Sequence, residues 1–431
     1  MEKVGSVANI HPLAGAIDAK VKVPGSKSFT NRALVIAALA NGVTTLHGAS
    51  DSNDSRVLIK LLDRLGVEII EQEGVIQVRG NGGKFDEFNG VLNVEDAGTA
   101  MRFLTALCCL VPGEITLEGS ERMNHRPIKE LVSALIRLGA EIVYTDNEGY
   151  PPIKITGGTT NGGSVHVNGS ISSQFISALL MIAPVLSRDT NVYIEGQQVS
   201  EPYIDMTISA MKEFGAEVDK SGNHYFVGGS QQYKVNKYTI EGDASSASYL
   251  FAIAALSQSK VEVTNVSGKS MQSDIRFVDI LQQMGCSVSK TKSSITVTGA
   301  KALKAVEVNM QDMPDTAQTL AVLAAFAQGE TVITGLKTLQ HKESKRITAL
   351  QTELTKMGVE CKSGADYIKI KGGSPKGAIV NTYNDHRMAM AFAVAGVRLN
   401  GMIIESPQVV KKSFPSFWTT IQSMGINVDI G

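Results

Sequence analysis

The sequence predicts an α/β protein of two domains, each made of three copies of one repeating unit. Three observations carry this. A glycine-centred pattern recurs six times, an apolar helix accompanies each copy, and an alternating strand follows each glycine.

The glycines are Gly66, Gly139, Gly215, Gly285, Gly358 and Gly425, spaced by 73, 76, 70, 73 and 67 residues. Four residues before each stands a large apolar side chain: Leu62, Leu135, Met211, Leu281, Leu354 and Ile421. One residue before stands another: Leu65, Leu138, Phe214, Met284, Met357 and Met424. That spacing is one face of a helix. The glycine supplies the left-handed residue that ends it. Beyond it, alternation as in Val67-Glu68-Ile69 reads as a strand.

Each copy also carries an earlier, more apolar helix followed by a strand, as in ALVIAALANGVTTLHG from Ala33 and LAVLAAFAQGETVITG from Leu320. A helix apolar nearly all round is a buried one. The unit therefore reads helix–strand–helix–strand–strand. The break between the third and fourth copies falls near Gly228–Glu241.

Bulk properties narrow the function. The chain has 431 residues, 43% of them hydrophobic, which is too much for one ordinary core. A formal net charge of -1 gives no global case for nucleic acid or an anionic membrane. Cys108, Cys109, Cys286 and Cys361 form no CxxC pair, and no histidine or cysteine spacing suggests a metal site, so no metal or cofactor is expected. The start, MEKVGSVANIHPLAG, lacks a signal-like apolar stretch, and apolar runs fall well short of the ~18 residues of a membrane span. A soluble cytoplasmic protein is expected, working as a monomer on small molecules.

The segments preceding the buried helices are small, polar and often charged: PGSKSFTNR, DAGTAMR, GSISSQF, GDASSAS, MPDTAQT and YNDHRMAM. Free N–H groups and the positive dipole end collect at helix starts, which suits phosphate and carboxylate groups. Each segment alone also reads as an ordinary cap, and GDASSAS, without a cation, reads best that way. PGSKSFTNR is the strongest candidate, with Lys27 and Arg32 around Ser28. Ser26 before Lys27 excludes a Walker A loop. Further cations stand at Arg126, Lys342, Arg346, Arg387 and Lys412. Together they suit substrates with several negative charges, though each alone passes for a solvated face. Asp315 and Glu343 are the candidate proton-transfer groups; spacing leaves a cap and a salt-bridge partner equally open for them.

PGSKSFTNRALVIAALA, DAGTAMRFL, RPIKEL, SSQFISALLM, EGDASSAS, MQSDIRF, HKES-x-R, NDHRMAM and KSFP, in this order, resemble the 5-enolpyruvylshikimate-3-phosphate synthases across nearly the whole chain. The resemblance implies an inverted α/β barrel in each of two domains, built from six βαβαββ units. It places residues 23–240 in one domain and 1–22 plus 241–431 in the other, with the active site in the cleft. It implies enolpyruvyl transfer from phosphoenolpyruvate to the 5-hydroxyl of shikimate 3-phosphate, and inhibition by glyphosate at the phosphoenolpyruvate site. By that resemblance, Lys27, Ser28, Arg32, Ser172, Ser173, Gln174, Ser200, Tyr203, Asp315 and Lys342 serve shikimate 3-phosphate. Lys27, Gly98, Arg126, Gln174, Arg346, Arg387 and Lys412 serve phosphoenolpyruvate. Asp315 is similar to the base, Glu343 to the proton donor, and Lys27 joins them as a catalytic residue.

Four positions depart from the family's common pattern: Asp96 for asparagine, Phe103 for proline, Lys345 for aspartate, and Thr338 where some members use asparagine. Two rival readings stand beside the resemblance. UDP-N-acetylglucosamine enolpyruvyl transferases share the architecture, but many carry a loop cysteine that is missing from Glu118–Arg126 here. A clamp-like DNA ring also uses α/β repeats, but needs lysines and arginines on exposed helix faces rather than beside glycines and serines.

Overall fold

The computed structural model describes residues 6–431. They fall into two compact units, residues 25–240 and residues 6–24 with 241–431. Residues 1–5, the start of the segment expected over 1–22, lie outside the described residues.

Each unit contains three four-stranded sheets of one design, in which the first two strands run parallel and the next two join antiparallel. In unit 25–240 the first sheet runs Lys237–Thr239, Asn41–His47, Val75–Asn81, Glu68–Gln72. The second runs Gly90–Asn93, Gly113–Glu118, Ile153–Gly157, Glu141–Tyr144. The third runs Gly163–Asn168, Thr190–Glu195, His224–Val227, Asp219–Ser221. The other unit repeats the design, but it recruits the start of the chain twice. Asp18–Val21 is the parallel edge strand beside Lys260–Val263. Val7–Ile10 takes the third place in the last sheet, between Met402–Glu405 and Val428–Ile430, with Ile10 opposite both Met402 and Val428. The sixth copy therefore ends on one strand after its glycine, and the chain's first strand completes it.

The helices divide as their patterns require. Lys27–Leu39 is buried from Phe29 to Leu39, and Ala244–Ser257 from Ala244 to Leu256. The second helices are two-sided: Asn53–Arg64 buries Val57, Leu58, Leu61 and Leu62 while Lys60 and Arg64 stay out. Each fully buried leucine contributes about 1.5–3 kcal/mol. All six repeat glycines have φ between +79° and +104°, the left-handed conformation expected of them. The four cysteines are unpaired, and Cys108 and Cys109 are buried. Each unit has its own hydrophobic core, one running from Phe29 to Ile240 and the other combining Ala8–Val23 with Ala244–Val428.

Candidate active site

In unit 25–240 the candidate residues gather at three helix starts. Ser26 caps Lys27–Leu39, accepting the Phe29 N–H at 3.4 Å. Lys27 Nζ lies 3.2 Å from the buried Asp54 carboxylate in the first turn of Asn53–Arg64. Sequence reasoning passed over Asp54, which looks like any acidic residue behind a serine cap.

Arg32, one turn on, is buried. Its Nε donates to Thr207 Oγ1 (2.7 Å), Nη1 to the Ser28 carbonyl (2.9 Å), and Nη2 to the Tyr203 carbonyl (2.9 Å) and Ser177 Oγ (3.3 Å). The guanidinium also lies 5.5 Å from the centre of the Phe103 ring, which explains how a phenylalanine is accommodated there. All four acceptors are neutral, and among the described residues no carboxylate pairs with Arg32. Burial accordingly pushes its pKa down to about 10. A buried cation with neutral partners is costly, and an anion relieves that cost.

Gly98 begins the helix Gly98–Cys108, which has no side-chain cap because Ala97 stands at its head. Its first N–H groups are thus available to an anion. A Cβ at position 98 would come within 2.5 Å of Arg126 Nη1, so glycine is what lets the Arg126 guanidinium lie across this helix start. Gln174 Nε2 donates to Thr99 Oγ1 at 3.4 Å, and its own N–H donates to Ser172, the cap of Ser173–Ile182. Gly98, Arg126, Ser172, Ser173 and Gln174 are therefore one neighbourhood, and Ser28, Arg32 and Tyr203 another. Ser200 heads Glu201–Glu213 in the left-handed region (φ +54°), a conformation that costs a non-glycine residue energy. Asp96 accepts a hydrogen bond from Ser120 Oγ, so its charge is engaged with the loop before Arg126.

In the other unit six candidates form one connected cluster. Asp315, on the short 3-10 turn Pro314–Thr316, receives Arg387 Nη2 at 2.8 Å and Arg346 Nη1 at 3.3 Å, with Lys342 Nζ at 3.7 Å. Arg346 opens the helix Arg346–Lys356 and reaches Glu343 at 2.8 Å. Lys412 Nζ lies 4.0 Å from Glu343. Arg346 is also gripped by Asp385, which caps His386–Ala395 by accepting the Arg387 N–H and takes the Ser344 hydroxyl at 2.9 Å. Burial works against the charge on Arg346, but Asp385, Glu343 and Asp315 outweigh it and raise its pKa. For Arg387, too, burial is outweighed, first by the Asp315 charge and then by Asp243 and Asp274. Lys342, Arg346, Arg387 and Lys412 bring four cations together with Asp315, Glu343 and Asp385, and three of the four cations meet at Asp315.

Asp385 was legible only as a cap within NDHR, because its partner Arg346 lies 39 residues away. Asp243 caps Ala244–Ser257 as expected, accepting the Ser246 N–H at 2.7 Å. Thr338 lies on the 3-10 turn Lys337–His341, and its buried Oγ1 has no hydrogen-bond partner among the described residues. Lys345 stands exposed just before the Arg346 helix.

The family model for EPSP synthase (3-phosphoshikimate 1-carboxyvinyltransferase) matches residues 13–421. The chain belongs to this family. It is 42% identical to the 3-phosphoshikimate 1-carboxyvinyltransferase of Pasteurella multocida, over 97% of this chain and 98% of that one. Identity to the enzyme of the same name from Trichormus variabilis is 41%, covering 95% and 96%. Among solved structures, the EPSP synthase of Acinetobacter baumannii matches with a TM-score of 0.84 and 26% identity, over 99% of this chain and 100% of that one. The two-domain α/β fold of the EPSP synthases is thus the fold of this chain. The resemblance read from the motifs leads to this family, the sixfold repeat agrees with it, and the clamp-like ring is set aside.

Proposed function

We infer that this protein transfers the enolpyruvyl group of phosphoenolpyruvate to the 5-hydroxyl of shikimate 3-phosphate and releases phosphate, a step of the shikimate pathway. The family match over residues 13–421 carries this conclusion, together with relatives aligned over 97% of the chain. The shikimate name on relatives at 41–42% identity favours it over the UDP-N-acetylglucosamine enzyme, as does the absence of cysteine from Glu118–Arg126.

The residue roles follow the chemistry. The 5-hydroxyl adds to C2 of phosphoenolpyruvate while C3 gains a proton, giving a tetrahedral intermediate. Phosphate then leaves and C3 loses a proton, giving the enol ether. Asp315 takes the hydroxyl proton and Glu343 supplies the proton to C3. Lys27, Gly98, Arg126, Gln174, Arg346, Arg387 and Lys412 bind phosphoenolpyruvate and its developing charge. Lys27, Ser28, Arg32, Ser172, Ser173, Gln174, Ser200, Tyr203, Asp315 and Lys342 hold shikimate 3-phosphate. Support comes from Arg32, a buried cation with no carboxylate partner among the described residues, and from Lys342, Arg346 and Arg387, which all meet at Asp315. Asp315 is tied to Arg346 and Arg387. An incoming phosphoenolpyruvate carboxylate competes for those guanidiniums and releases Asp315 to act as a base.

No helix among the described residues is long and apolar enough to cross a membrane. We also propose that the protein works in the cytoplasm, where its four unpaired thiols suit a reducing milieu, and as a monomer, which gel filtration checks. The deciding assay is phosphate release from phosphoenolpyruvate with and without shikimate 3-phosphate. Release that depends on the second substrate supports the reading. Release with UDP-N-acetylglucosamine instead would transfer it to the sister chemistry.

A further inference from the structure

The helix Ala244–Ser257 brings no cation to its start and is buried along nearly its whole length. One large polar group interrupts its apolar surface. Tyr249 is fully buried, and its phenol oxygen accepts a hydrogen bond from Arg387 Nη1 at 3.2 Å, across 138 residues of sequence. Its ring packs edge-on against Phe417, centroids 6.0 Å apart. Phenylalanine would fill this space equally well. The hydroxyl instead costs desolvation, and a hydrogen bond to a charged donor offsets that cost.

Arg387 is thereby held at both terminal nitrogens by different chemistry. Asp315 takes Nη2 at 2.8 Å with a negative charge, and Tyr249 takes Nη1 with a neutral oxygen. Burial pushes the Tyr249 phenol up to about 12, so it stays protonated at neutral pH. A neutral acceptor orients a guanidinium without neutralising it. When an anion displaces Asp315, the tyrosine still fixes the plane of the fork and leaves its positive charge to the ligand.

We propose that Tyr249 is a positioning residue for phosphoenolpyruvate, orienting the Arg387 guanidinium toward the anion. This rests on the reading of Arg387 as a phosphoenolpyruvate ligand, so the test examines both. Steady-state kinetics with each substrate varied, and thermal melts, are compared for the unaltered enzyme, Tyr249→Phe, Tyr249→Leu, Arg387→Lys, and the Tyr249→Phe/Arg387→Lys pair. Loss of a hydrogen bond to a charged group predicts that Tyr249→Phe raises the KM for phosphoenolpyruvate about tenfold. Its kcat stays within about twofold, since the bond is made in both ground and transition states. The KM for shikimate 3-phosphate stays unchanged, and the melting temperature falls modestly because the buried Arg387 Nη1 loses its acceptor. Tyr249→Leu, which also removes the ring, shows the same selective loss with a lower melting temperature. In the Arg387→Lys background, Tyr249→Phe adds nothing further. If Arg387→Lys raises the KM for phosphoenolpyruvate but both folded Tyr249 variants leave it alone, the positioning role is wrong and the role of Arg387 survives. If Arg387→Lys itself leaves that KM unchanged, the underlying reading fails. Equal rises in both KM values, or losses that track melting temperature, would reduce Tyr249 to a packing residue.

Discussion

Arg346 and Asp385 form a two-point ion pair in the buried interior of their unit, Nε to Oδ2 at 2.7 Å and Nη2 to Oδ1 at 3.2 Å. The same carboxylate caps the helix that carries Arg387. One acidic side chain thus sets the positions of two arginines that the sequence marked separately. Removing one partner of a buried pair typically costs about 3–5 kcal/mol. Arg346 retains Glu343 and Asp315, so Asp385→Asn is expected at the lower end, about 3 kcal/mol. Urea unfolding measures this. A higher KM for phosphoenolpyruvate should accompany it, because Arg346 and Arg387 both lose their common anchor. An unchanged unfolding midpoint would count against the pair as a structural anchor.

Asp315 is expected to behave in the opposite sense toward binding. It pairs with Arg346 and Arg387, and on the proposed reading it competes with phosphoenolpyruvate for them. Asp315→Asn should leave phosphoenolpyruvate affinity equal or tighter, while kcat falls by a factor of about 10²–10⁴ through loss of the base. Equilibrium binding alongside kinetics separates the two effects. A variant with normal kcat and weakened binding would assign Asp315 to substrate holding instead.

Arg32 provides the pH-dependent case. Burial penalises the cation and pushes its pKa in the fold down to about 10, below the ordinary arginine range. The folded protein thus holds this proton less tightly than the unfolded chain. Below about pH 10 the fold carries the full penalty, and the penalty fades as pH rises from about 10 toward the ordinary arginine range. A bound anion offsets it only while Arg32 is charged. The rise in melting temperature given by shikimate 3-phosphate should therefore shrink as pH passes through about 10. Arg32→Met should show a smaller rise at pH 8 and no added loss near pH 10. Identical profiles for the two proteins would remove Arg32 from the substrate site.

How much of this was legible depended on whether the signal was local. The six glycines, the buried helices and the caps at Ser26, Ser172, Asp243 and Asp385 are set by neighbours a few residues away, and each has a pattern. The sheet arrangement was harder. Nothing local tells that Val7–Ile10 fills the gap left by the sixth copy, although that copy is one strand short after Gly425. Pairing of charges was not readable. Lys27 gave no hint of Asp54, nor Arg346 of Asp385, nor Arg387 of Tyr249, because those partners meet only through tertiary packing.

Gly98 offers a purely steric prediction. A Cβ there would meet Arg126 Nη1 at 2.5 Å and Cζ at 2.9 Å. The obstacle is the end of a flexible side chain, so Gly98→Ala should fold with little loss of stability, and Arg126 should swing aside. The KM for phosphoenolpyruvate is expected to rise about tenfold, corresponding to about 1.4 kcal/mol. Gly98→Ala combined with Arg126→Ala should raise it no further than Arg126→Ala alone. Additive losses would mean that the methyl group obstructs the ligand itself rather than the arginine.

The last prediction concerns the two cores. Each hydrophobic cluster lies within one unit, and the two are expected to melt separately. Trp418, the single tryptophan, is buried beside Phe417, with Nε1 donating to the Pro407 carbonyl at 3.0 Å. Its fluorescence thus reports only the unit that contains residues 241–431. Urea titrations followed by tryptophan fluorescence and by far-ultraviolet circular dichroism should fail to coincide. Core substitutions sort the transitions. Phe392→Ala, expected to cost about 3–5 kcal/mol, should move the fluorescence midpoint, while Phe175→Ala should move only the circular dichroism component that fluorescence does not follow. Coincident transitions that both variants shift equally would show that the two units unfold as one cooperative body.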